Sequence, residues 1–146
     1  MSSTKYESAD LILKLYDMRR EETMRKARQW FGGFNPQSAQ EIVDAAASEE
    51  TSAYYRMVTS YWDMAASLVH QGAIDEEMFN AANGEHVFIY AKLEPHMEEL
   101  RTIFGPQILP NLERLIMNIP NIKERLTHMR EMMRKMMERR AAAKKQ

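Results

Sequence analysis

Four histidines, His70, His86, His96 and His128, are the side chains best suited by type to acid–base or metal chemistry, and they are scattered along the chain. A carboxylate-bridged di-metal bundle needs Glu-x-x-His pairs facing inward from two helices, so that each ion takes both ligand types from one helical turn. No Glu-x-x-His occurs, and the nearest pairings, His96 with Glu99 and His128 with Glu131, run in the reverse order. No metal site and no cofactor is expected. His96 stands beside Pro95, where a helix kink frees a carbonyl that an imidazole N–H can satisfy; that structural role outranks general-base chemistry. Asp63 with Ser60, Ser67 and His70 contains the residue types of a triad. A nucleophile also needs a sharp presentation and an oxyanion hole, which a continuous helix does not supply. The chain has no cysteine, which removes thiolate catalysis, disulfides and Cys-ligated metals together. Its five glycines include one adjacent pair, Gly32-Gly33, and no phosphate-cradling pattern follows it. No catalytic residue is assigned.

The methionines carry more information. Ile119, Ile122, Leu126, Met129, Met133 and Met136 recur at alternating steps of three and four, the spacing of a coiled-coil seam, and Met132 and Met137 widen it. Unbranched methionine fills irregular gaps, so core packing is the first reading of this stripe, ahead of partner binding and of a Cu(I) thioether site. Residues 123–146 hold nine Lys or Arg against three Glu, net +6, which leaves −7 for residues 1–122. A basic tail on an acidic body docks on that body, on an acidic partner or on a polyanion. Lys123, Arg125, Arg130 and Arg139 flank the seam with no acid among them, so two copies of this helix repel one another. The candidate interaction surface is therefore Met129, Met132, Met133, Met136 and Met137 with Arg130, Arg134 and Arg139.

The elements that must position these residues are helical, because β-branched residues are few and no alternating run lies between hairpin turns. A first helix is expected after Ser8 as cap, ending at Gly32-Gly33. It carries Leu11, Leu15 and Met18 on one side and Leu13, Tyr16, Met24, Ala27 and Phe31 on the other; the second stripe is the candidate dimer face. Glu21 and Glu22 precede Arg25 and Lys26 by four residues, in a solvated turn. Asn35 as cap and Pro36 at the first helical position predict a short connector through Ala47. A helix over 52–71, apolar around most of its circumference, is expected at the centre, with Arg56, Thr59, Ser60, Asp63, Ser67 and His70 as its solvent stripe. Asp75 caps a short helix up to Asn83-Gly84. The next helix is buried around Val87-Phe88-Ile89-Tyr90-Ala91, and at Pro95 it is expected to kink or to divide into two shorter helices. A short helix over 111–118 and a last one from Pro120 to about Arg140 complete the chain, with residues 141–146 a frayed basic tail.

The stretch YWDMAASLVHQGAIDEEMFNAANGEHVFIYAKLEPHMEELR, residues 61–101, resembles uncharacterised bacterial all-helical proteins of unknown function. The resemblance implies an all-α fold and a bacterial origin, and carries no site residue with it.

The fold expected is an all-α, partly orthogonal bundle of five to seven helices in a single domain over residues 1–146. No signal-peptide pattern opens the chain and no apolar run is long enough to cross a bilayer, so a cytoplasmic location is expected. The function expected is that of a non-catalytic interaction or scaffold protein with an unknown protein partner, able to form a homodimer through the first helix. One alternative is an adaptor whose basic methionine-rich helix binds a membrane, nucleic acid or acidic protein. The other is a small enzyme or ligand-binding protein with a pocket gathering Tyr54, Tyr61, Asp63, His70 or His96.

Overall fold

Capping decides where the helices begin. In the computed structural model, which describes residues 3–145, Thr4 and not Ser8 caps the first helix, α1 (Lys5–Arg19). The Thr4 side chain accepts from the Glu7 amide at 3.1 Å and the Glu7 carboxylate accepts from the Thr4 amide at 2.9 Å, a reciprocal capping box. Ser8 is fully buried instead, and its hydroxyl accepts from the Asp75 amide at 2.9 Å.

The long first helix expected from the sequence is two helices. Glu21 leaves the helical conformation, and its carboxylate accepts from the amides of Thr23 (3.0 Å) and Met24 (2.9 Å), starting α2 (Glu22–Gly33). Those amides hold the Glu21 carboxyl below the usual carboxylate range, since the charged form is the better acceptor. Because the chain turns here, the candidate dimer stripe does not survive as one face. Met24, Ala27 and Phe31 point into the core, with the Phe31 ring stacked on Tyr55 at 6.2 Å. Leu13 and Tyr16 stay on α1 and are exposed. The inward face of α1 is Ser8, Ile12 and Leu15, and Met18 is exposed.

The connector α3 (Ala39–Ala47) is capped by Ser38, whose side chain accepts from the Glu41 amide at 3.2 Å; Asn35 and Pro36 precede it in the loop. Helix α4 (Ser52–His70) follows, and Gly72 takes the positive φ of 79° that ends it. Asp75 caps α5 (Glu76–Ala82) as expected. Helix α6 (Glu85–Leu93) meets α7 (Met97–Phe104) across a 3-10 turn at Glu94–His96, the break that Pro95 requires. Helices α8 (Pro110–Met117) and α9 (Ile122–Lys144) complete the chain. Seven expected segments become nine α-helices among the described residues, because those at Glu21 and Pro95 divide. The supposedly frayed tail is helical through Lys144, as its alanines and C-terminal lysine favour; Gln146 lies outside the described residues.

The result is an all-α bundle around one core that runs from Ile12 of α1 to Leu126 of α9, with Trp62 and Tyr90 as its largest fully buried side chains. Helix α4 is central, packing most extensively on α2 and α8, while α6 lies against α8 and α9, and α1 against α5 and α2. The last turn of α7 exposes Ile103 and Phe104. Among the described residues no helix is long and apolar enough to cross a membrane.

Candidate functional site

The polar stripe of α4 is only partly the solvent face that its spacing predicts: Arg56 and Ser60 are exposed, whereas Asp63 and His70 seat α8. Leu109 precedes α8 with a positive φ of 45° and no capping side chain, so the first amides of the helix need an acceptor from elsewhere. Asp63 supplies it, accepting from the Leu112 amide at 2.9 Å and from the Asn111 side chain at 3.1 Å. His70 donates from Nε2 to the Asn111 carbonyl at 2.9 Å, and Thr59 is buried. Tyr61 donates to the Leu15 carbonyl at 2.5 Å, and burial raises its pKa to about 12. Asp63, His70 and Tyr61 are thus each engaged in joining helices, while the hydroxyls of Thr59, Ser60 and Ser67 donate to carbonyls within α4. Asp63 borders a shallow hollow beside Arg56 and Leu109, and His96 a separate one beside Pro95.

Two buried ionisable residues escaped the sequence reading. His86 is fully buried, its ring stacked on Trp62 at 5.4 Å and met by the edge-on Phe79 at 5.1 Å. Its Nε2 lies 3.0 Å from the Asn80 side-chain oxygen, an acceptor, so Nε2 carries the hydrogen and Nδ1 is a bare lone pair. Burial, and then the nearby Arg19 charge, push its pKa down to about 4. Lys92 sits in the otherwise apolar run of α6, and its ammonium donates to the carbonyls of Phe31 (2.7 Å), Gly32 (3.1 Å) and Phe34 (2.8 Å). These carbonyls lie at the C-terminal end of α2, where the helix dipole also favours a cation, and that of Phe31 accepts from the Phe34 amide as well. Burial, and then Arg140, lower the Lys92 pKa to about 8. A lone lysine inside a buried apolar run was the signal available for it. Near α1, Glu85 accepts from Arg28 at 3.0 and 3.1 Å and from Arg19 at 3.3 Å, clamping the break between α1 and α2 onto α6.

The methionine stripe divides in two. Ile122 and Leu126 enter the core, and Met129 and Met133 pack partly against it. Arg130 donates to the Ala91 carbonyl (3.1 Å) and to Glu94 (3.2 Å), fastening α9 to the end of α6. The rest of the stripe is open: Met132, Met136 and Met137 are each between 43% and 50% exposed. Between this outer half and the end of α2 runs a groove of about 1090 Å³. All five candidate methionines line it, with Phe88 and the edge formed by Gln29, Gly32, Gly33 and Asn35. Arg125 and Arg140 stand along it, and Glu124 is the single acid among its lining residues. Arg130 and Arg134 border a second hollow of about 620 Å³ on the other flank of α9. The structure therefore brings the candidate methionines together on one groove. Of the three candidate arginines, Arg130 ties α9 to the body, Arg134 pairs with Glu138 within α9 at 2.5 Å, and Arg139 is exposed.

Fold and groove together define a class: an all-helical domain whose polar side chains hold its own helices together and which carries an open apolar groove with arginines beside it. The chain belongs to the family described as a domain of unknown function (DUF4760), whose family model matches residues 6–119. That match covers α2 to α8 and nearly all of α1 and ends before α9, so the groove lies between the matched domain and a helix beyond it. No curated protein and no solved structure matches the chain.

Proposed function

We propose that this is a non-catalytic interaction protein of the cytoplasm, which uses the groove along the outer half of α9 to hold an apolar helix bordered by acidic residues. The observation that carries the reading is the open groove itself: an apolar stripe continues for about three turns past Leu126, the last α9 residue buried in the core, with Met129 and Met133 partly packed and Met132, Met136 and Met137 exposed, facing the small edge of Gly32 and Gly33. Space beside both glycines is open, with nothing within 4 Å of where a side chain would begin, so a helix backbone can approach closely. Methionine suits such a surface because its flexible thioether repacks around an incoming side chain. Arg125 and Arg140 favour an acidic occupant, and the +6 charge of residues 123–146 steers one toward it. A lipid surface is favoured less, since residues 131–146 contain no aromatic residue to anchor at the headgroup level.

Placing a photo-crosslinking residue at Met132, and in a second chain at the exposed Met64 on α4, tests the reading in living cells. A discrete adduct from position 132 alone, abolished when Arg125→Glu and Arg140→Glu are combined with it, is the expected result. Identical patterns from the two positions, or indifference to the charge reversal, would end the docking reading.

A further inference from the structure

The apolar surface of the molecule is concentrated on two helices: seven of the eleven exposed large hydrophobic residues among the described ones lie on α1 and α9. On α1, Tyr6 is 91% exposed, Leu13 65% and Tyr16 50%. At 100° per residue Tyr6 and Leu13 fall on the side away from Ile12 and Leu15, and Tyr16 flanks them next to Ile12; Asp10, paired with Lys14 at 3.0 Å, and Asp17, both exposed, run along the border of Tyr6 and Leu13. Helix α1 is 15 residues long, about 22 Å at 1.5 Å per residue. The groove between Arg125 and Arg140 has the same length by the same rule, about 22 Å.

We propose that the occupant of the α9 groove is α1 of a second copy of this chain, the two contacts being reciprocal so that α1 of each copy covers the methionines of the other. The inference rests on the docking reading of the groove and names its partner. Length matches, both faces are apolar and unpartnered, and the acids bordering α1 meet a groove edged by arginine. Like pairing is disfavoured for α9, whose flanking positions Lys123, Arg125, Arg130 and Arg139 are all basic. The α1 of the same copy is held on the body by α5 and α2. Reciprocal contacts close a two-fold dimer and leave neither face to propagate a chain.

Light scattering on the full chain, from nanomolar to high micromolar concentration, is expected to show a shift from the 17.1 kDa monomer to twice that mass. Leu13→Glu and Met132→Glu each place a charge at an exposed position and leave the core alone, which circular dichroism verifies. Each variant by itself is expected to remain monomeric, because every contact pairs one α1 with one α9. An equimolar mixture of the two variants retains one undamaged α1 facing one undamaged α9, and is expected to recover dimer mass at elevated concentration. A dimer that survives Met132→Glu would place α1 on α1, one that survives Leu13→Glu would place α9 on α9, and either overturns the proposal, as does a mixture that stays monomeric. A wild-type chain monomeric throughout overturns the second-copy inference and leaves the docking reading to the crosslinking test. There, an adduct of this chain with itself supports both, an adduct with a different acidic protein, lost on charge reversal, supports docking and overturns the second copy, and no discrete adduct defeats both.

Discussion

The inner and outer halves of α9 carry the same apolar periodicity and meet different surroundings. In the inner half, Ile122 and Leu126 are covered by the body, and Arg130 ties the helix to Ala91 and Glu94. In the outer half, Met132, Met136 and Met137 lie at the mouth of a groove. An amphipathic stripe states that a face has apolar surface to cover, not what covers it. The inner half belongs to folding, and under the proposed function the outer half serves binding.

Four measurements test that division. Truncation after Pro120 removes Ile122 and Leu126 from the core and is expected to leave an aggregating or unfolded chain, whereas truncation after Met133 leaves a folded monomer; circular dichroism and light scattering distinguish them. Leu126→Ala is expected to cost about 2–5 kcal/mol in a denaturant titration, while Met136→Ala changes stability by less than about 0.5 kcal/mol. Equal costs would erase the difference between the halves.

Acid is the third test, because His86 lines a cavity with Arg125 and Met129 beneath the inner half. Its pKa is about 4 when folded against an ordinary 6.5, so between those values the unfolded chain binds the extra proton. Stability is expected to fall as pH drops from 6.5 toward 4, by about 3 kcal/mol in all, and to be flatter in His86→Phe. A slope unchanged in that variant would assign the acid sensitivity elsewhere. Last, Lys92→Met leaves the carbonyls of Phe31, Gly32 and Phe34 without their buried donor, an expected loss of about 1–3 kcal/mol in thermal unfolding.

The fold was largely legible because its punctuation is local. Asp75, Gly72 and Pro95 each act within one turn of their own position, and their effects stand where the residue types require. Glu21 was harder to read: as a helix-surface acid it suggested an ion pair with Arg25, and it caps a new helix instead. That choice redirected Met24, Ala27 and Phe31 from a dimer face to the core. Of the site, the methionines and their basic flanks were visible as a pattern, but Gly32, Gly33 and Phe88 were not, since they come from α2 and α6 and join the groove only through packing. Asp63 and His70 read as solvent-facing because their partner, α8, lies more than forty residues along the chain.

By itself the sequence determined the all-helical class, the punctuation at Gly72, Asp75 and Pro95, the amphipathic last helix and the opposed charges of tail and body, because each depends on neighbouring residues or on composition. Only the tertiary structure decided which polar residues are buried, where α9 leaves the core and what stands across from its methionines. Those outcomes depend on which distant helix arrives at a given face, and no single helix records its neighbour.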